Sequence, residues 1–116
     1  MSQFVPPRPR VINVKRGFVI VASQFNAKYV QGLVNHCTDE LRSLLPASNV
    51  ILHLVPGAFE IPLLVREVAL KKKADAIVAL GVIIQGETDH AQHIGEVVAH
   101  ALQQMGVAVA PEPKGL

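Results

Sequence analysis

Apolar residues along this chain follow two alternating rhythms. Residues 18–22, 50–54 and 76–84 are short, nearly unbroken apolar runs such as Phe18-Val19-Ile20-Val21-Ala22. Runs of this kind are the pattern of strands buried on both faces of a parallel sheet. Between them the spacing changes to three and four. Val30, Leu33, Val34, Cys37, Leu41, Leu44 and Leu45 share one side of a predicted helix, with Lys28, Gln31, Asn35, Asp39 and Arg42 on the other. Pro46 ends that helix. Ile61, Leu64, Val65, Val68 and Ala69 mark a second helix from Phe59, and Pro62 is tolerated because it lies in the first turn. Lys71, Lys72 and Lys73 read as its solvated, dipole-compatible end. Ile94, Val97, Val98, Ala101, Leu102 and Met105 mark a third. Residues 107–110, after Gly106, read as the start of a fourth strand.

Strand and helix therefore alternate with short connections, which predicts an α/β domain with a parallel four-stranded sheet, right-handed crossovers and helices on both faces. Residues 1–15 carry Pro6, Pro7 and Pro9 among basic residues and read as an extended arm. Within the arm, Val11-Ile12-Asn13-Val14 is short and apolar enough to join a sheet edge. Residues 16–116 form the domain. The carboxyl ends of parallel strands lie on one rim, where ligands of open α/β sheets bind. That topology brings three turns together: Phe25-Asn26, Gly57 to Glu60, and Gly86 to His90.

Composition narrows the class. Half of the 116 residues are apolar and only 17% are charged, a sparse polar cover that predicts apolar surface facing another subunit. A net charge of +2, with no basic helix carrying interleaved aromatics, argues against nucleic acid as a partner. Cys37 is the single cysteine, so no internal disulfide forms, and it reads as an inert core thiol. Neither a leader nor an apolar run of about 18 residues is read, so the expectation is a cytoplasmic protein with no membrane partner. His36, His53, His93 and His100 lack partners at ligand spacing, so no metal site is expected.

The three turns carry the candidate chemistry. His90 stands in a polar turn after a strand and can move a proton near neutral pH, although a cap at the helix start is the plainer role of an isolated histidine. Thr88 or Asp89 serves equally well as N-cap. Gly86, Glu87 and Thr88 would present amides and a hydroxyl at a helix N-terminus, which suits a phosphate. Glu60 is placed either to accept hydrogen bonds from a polyhydroxylated ligand or simply to oppose a helix dipole. Phe25 offers a ring face to a heterocycle or belongs to the core, and Asn26 offers amide contacts.

Three segments in this order and spacing resemble the lumazine synthases, a family of the riboflavin pathway. They are Gln24-Phe25-Asn26, the run VPGAFEIP from Val55 to Pro62, and Gly81-Val82-Ile83-Ile84-Gln85-Gly86-Glu87-Thr88-Asp89-His90. The resemblance runs from about Arg16 to Val109. It implies a flavodoxin-like α/β/α subunit that assembles into pentamers, in some members into a 60-subunit shell. It also implies condensation of 5-amino-6-ribitylaminouracil with 3,4-dihydroxy-2-butanone 4-phosphate, with no cofactor. By position, Phe25 would stack on the pyrimidine while Ala58, Phe59 and Glu60 hold the ribityl chain. Ile83 and Ile84 would bring backbone groups to the ring. Gly86, Glu87 and Thr88 would meet the phosphate, and His90 would transfer protons.

The chain departs from the family pattern near its end. Pro111 and Glu112 stand where a Phe-Gly pair is expected, and the family's two further helices, with a phosphate-binding Arg and a nearby Lys, have no counterpart before Leu116. The last strand is thus expected to be short and the site to be one half of a composite. A non-catalytic homologue that assembles or binds a ribityl or flavin-type ligand is the second reading.

Overall fold

The computed structural model describes residues 10–84 and 91–109, the last five of these by their backbone alone. Three parallel strands, β1 (Gly17–Ser23), β2 (Asn49–Val55) and β3 (Ala76–Leu80), alternate with α1 (Ala27–Leu44), α2 (Ile61–Lys71) and α3 (Ala91–Val109). A single 3₁₀ turn, Ala58–Glu60, leads into α2. The strand order is β2-β1-β3, with Phe18 opposite both Val50 and Ala76. This is a flavodoxin-like arrangement of three layers.

β1 is central, which explains its unbroken apolar run. Ile20, Val21 and Ala22 have no exposed surface, and burying a side chain such as Ile20 contributes about 1.5–3 kcal/mol. Alternate residues feed opposite layers. Val19 and Val21 pack with Val55 and Ile61, against Leu64, Val65 and Val68 of α2 and Leu102 of α3. Ile20 and Ala22 pack with Val30 and Val34 of α1, joined by Cys37 and Val78. Cys37 is thus half-buried in the sheet-facing side of α1, as its spacing predicts.

Helix ends follow their residues. The Leu45 amide bonds the Leu41 carbonyl just before Pro46, and Pro62 sits in the first turn of α2. α2 ends on Lys72 in the left-handed region, φ 54°, where glycine is the usual occupant. Lys71, Lys72 and Lys73 are all exposed.

Two expectations need correction. The apolar run 76–84 is a strand only as far as Leu80, because β1 ends at Ser23 and its ladder with β3 closes at Ala22 opposite Leu80. The sheet also has three strands among the described residues, not four. Residues 107–109 continue α3, and Ala110 lies outside the described residues. A four-residue Val/Ala run does not distinguish strand from helix. The helix carries on through Gly106 at a propensity cost of about 1 kcal/mol. Of the expected arm, residues 1–9 lie outside the described residues. Residues 10–16 form no strand with the chain's own sheet, and the Val11 amide bonds the Leu44 carbonyl at the end of α1.

Candidate active site

Where β1 and β2 end, backbone hydrogen bonds lock their turns together. The Gln24 amide donates to the Val55 carbonyl at 2.7 Å, and the Phe25 amide donates to the Pro56 carbonyl at 3.1 Å. The segment 81–84 that follows β3 is joined by a side chain, since Asn26 Nδ2 donates to the Val82 carbonyl at 2.7 Å. These contacts enclose a cavity of about 180 Å³ at the carboxyl rim of the sheet.

Six of the residues singled out in the sequence line it: Phe25, Asn26, Ala58, Phe59, Ile83 and Ile84. Phe25 is 63% exposed and Phe59 55%. Neither ring is a core residue, so the alternative of Phe25 as core packing is set aside. Large aromatics left half in water beside a cavity are the groups that bind flat or amphipathic ligands. Ser23, Gly57, Val82 and Ile94 also line the space. The sequence assigns none of these four a role of its own, although Gly57 opens one candidate turn and Val82 lies in a family-like segment. The signal for Ser23 and Val82 was their adjacency to candidate residues, and Ile94 had been assigned only to a helix face.

Glu60 is exposed and closes the 3₁₀ turn, but its side chain makes no capping bond to the start of α2. Instead its carboxylate lies against Gly57. A Cβ built on Gly57 would come within 3.1 Å of Glu60 Oε2. Gly57 has extended backbone, φ −143° and ψ 175°, which any residue adopts. The close carboxylate, rather than backbone conformation, is the local feature that favours glycine there. Gly86, Glu87, Thr88 and His90 lie outside the described residues.

A larger hollow, about 250 Å³, lies at the opposite end of the strands between Gly17, Asn49, Ile51, His53, Lys71 and Lys73. Sites in doubly wound sheets form at the carboxyl ends, so the smaller cavity is the candidate. Among the described residues no three His, Cys, Asp or Glu side chains group to hold a metal, and no helix is long and apolar enough to cross a membrane.

The sequence model of the 6,7-dimethyl-8-ribityllumazine synthase family matches residues 15–111. The chain belongs to that family. It is 41% identical over 98 residues to a 6,7-dimethyl-8-ribityllumazine synthase of Halorhodospira halophila, a match that covers 80% of this chain and 63% of that one. To the protein of the same name from Nitrosospira multiformis it is 45% identical over 78 residues, 66% of this chain and 49% of the other. The corresponding figures for Gloeobacter violaceus are 41% over 101 residues, 79% and 56%. The chain thus spans about half to just under two-thirds of the length of these curated relatives. The cavity lies within the matched region.

Proposed function

We propose that this chain is a lumazine synthase subunit. It would condense 5-amino-6-ribitylaminouracil with 3,4-dihydroxy-2-butanone 4-phosphate, with release of phosphate and water. The observation that carries the reading is the pair of exposed rings, Phe25 and Phe59, flanking an apolar cavity at the strand ends. Phe25 stacks on the pyrimidine, and the backbone of Ile83 and Ile84 meets the ring edge. Ala58, Phe59 and Glu60 receive the ribityl chain, with the Glu60 carboxylate accepting from its hydroxyls. Gly86, Glu87 and Thr88 take the phosphate, and His90 shuttles protons during imine formation and phosphate loss. Holding the amine against the carbonyl supplies much of the acceleration, and the reaction as read requires no cofactor or metal.

Assembly is part of the proposal. Ile51, Leu52 and Leu54 on the edge strand β2 are 40–54% exposed, and Tyr29 and Leu33 of α1 are 57% and 42% exposed. Surface of this character supports a homo-oligomer, for which a pentamer or a shell of pentamers is proposed. The lone, half-buried Cys37 suits a reducing compartment, and the cytoplasm is the location proposed.

The test mixes both substrates with purified protein and follows the lumazine chromophore. Turnover supports the synthase. Tight binding of the ribitylaminouracil without turnover transfers the chain to the non-catalytic, ligand-binding reading. Failure to bind it at all overturns both.

A further inference from the structure

Asn26 enters α1 at φ 59°, ψ 44°, a left-handed conformation that asparagine tolerates better than most residues with a side chain. A residue at this position ordinarily turns its side-chain oxygen to the first helical amides. Asn26 makes no such bond. Its Nδ2 instead reaches 56 positions along the chain to the Val82 carbonyl, at 2.7 Å in a partly buried setting. Val82 belongs to the segment 81–84, which has left the β1 ladder. Among the described residues, this amide is the hydrogen bond that ties the segment to the rest of the fold. Ile83 and Ile84 of the same segment form the cavity wall that faces the Phe25 turn.

We infer that Asn26 is a positioning residue: through the Val82 carbonyl it fixes residues 82–84 as a wall of the ligand cavity, with Phe25, the preceding residue, on the other side. The inference rests on the proposed ligand reading for its purpose, but the tether itself does not require a ligand. Because Phe25 and Asn26 are adjacent on one turn, a single hydrogen bond sets the spacing between the aromatic face and the backbone groups of Ile83 and Ile84. Displacement of that wall would misplace the ring without removing any group that touches it.

The test compares the full chain with Asn26→Gly and Asn26→Asp. Glycine suits the left-handed backbone and deletes the donor, so that variant keeps its fold. The carboxylate is isosteric but only accepts when ionised. Expected in both variants is a changed carbonyl ¹³C shift at Val82 and a fall in the ¹⁵N order parameters of residues 82–84 from the rigid range of about 0.85 toward 0.6, with β1 unaffected. Affinity for 5-amino-6-ribitylaminouracil should fall roughly three- to tenfold, the scale of one net hydrogen bond. Lowering the pH toward about 4 should restore the Val82 shift in Asn26→Asp, whose protonated carboxyl can donate, and not in Asn26→Gly. Unchanged order parameters in Asn26→Gly overturn the inference, as does a loosened wall with undiminished affinity. A wild-type chain that ignores the ribitylaminouracil while Asn26→Gly loosens the wall supports the tether and removes only the ligand reading.

Discussion

Replacing Gly57 by alanine should weaken ligand binding while leaving the fold intact. The backbone at φ −143° and ψ 175° is open to alanine without strain, and shortening the list of unfolded conformations stabilises by about 0.4–1 kcal/mol. The added methyl meets Glu60 Oε2 at 3.1 Å, a few tenths of an ångström inside the usual C···O separation of about 3.3–3.6 Å. Glu60 is exposed, so its carboxylate swings away at little cost to stability. The cost falls on binding. A net hydrogen bond to a charged group is worth about 1.5–3 kcal/mol, and a carboxylate displaced but not deleted should lose the lower part of that. Affinity for 5-amino-6-ribitylaminouracil should thus fall roughly tenfold. Calorimetric titration of wild type, Gly57→Ala, Glu60→Ala and the double variant decides the route. If alanine acts by moving Glu60, it costs nothing more once the Glu60 side chain is gone. Additive losses, or wild-type affinity in Gly57→Ala, would refute the assignment of Glu60 as a ligand group held by Gly57.

Three further outcomes are expected. Lys72→Gly relieves a left-handed lysine at the end of α2 and should stabilise by about 1 kcal/mol, a rise of several degrees in thermal midpoint for a domain this size. Ile20→Ala opens a hole in the fully buried central strand and should destabilise by about 2–5 kcal/mol in denaturant unfolding. His90→Ala should lower turnover by roughly 10²-fold if His90 is the acid/base group, and unchanged turnover would remove it from the mechanism.

The sequence made the β-α alternation legible because the burial of β1 on both faces and the one-sided packing of α1 leave different apolar spacings. It made most of the cavity legible for a topological reason: parallel strands send Phe25, Ala58, Phe59, Ile83 and Ile84 to one rim whatever their side chains do. Two features were hidden because they depend on partners distant in sequence. The end of β3 at Leu80 is set by where β1 stops, and nothing within 76–84 announces it. The bond made by the Asn26 amide is not legible because its acceptor, the Val82 carbonyl, lies 56 residues away in the segment after β3. The strand expected to start at 107–110 is helix over 107–109 for a local reason, since Val and Ala are compatible with either state and Gly106 marks no turn there.

The same geometry explains how a cavity made of turns is held in place. Loops carry function when a rigid scaffold positions them, and here that scaffold is the most deeply buried strand. Among the described residues, three hydrogen bonds that join the strand exits involve consecutive residues after β1: the Gln24 and Phe25 amides reach the β2 side, and the Asn26 side chain reaches the β3 side. The exit turn is anchored in turn by Ser23, 2% exposed, whose hydroxyl donates to the Phe25 carbonyl at 3.4 Å. Gly81 packs over the same point, since a Cβ there would stand 3.4 Å from Ser23 Oγ and 3.3 Å from Ile61 Cδ1. A larger residue at 81 would therefore press on the floor of the cavity and the start of α2 together. The placement of Phe25 then follows from core packing around β1, while the shape of the opposite wall hangs on one amide, so affinity should be more sensitive to Asn26 than global stability is.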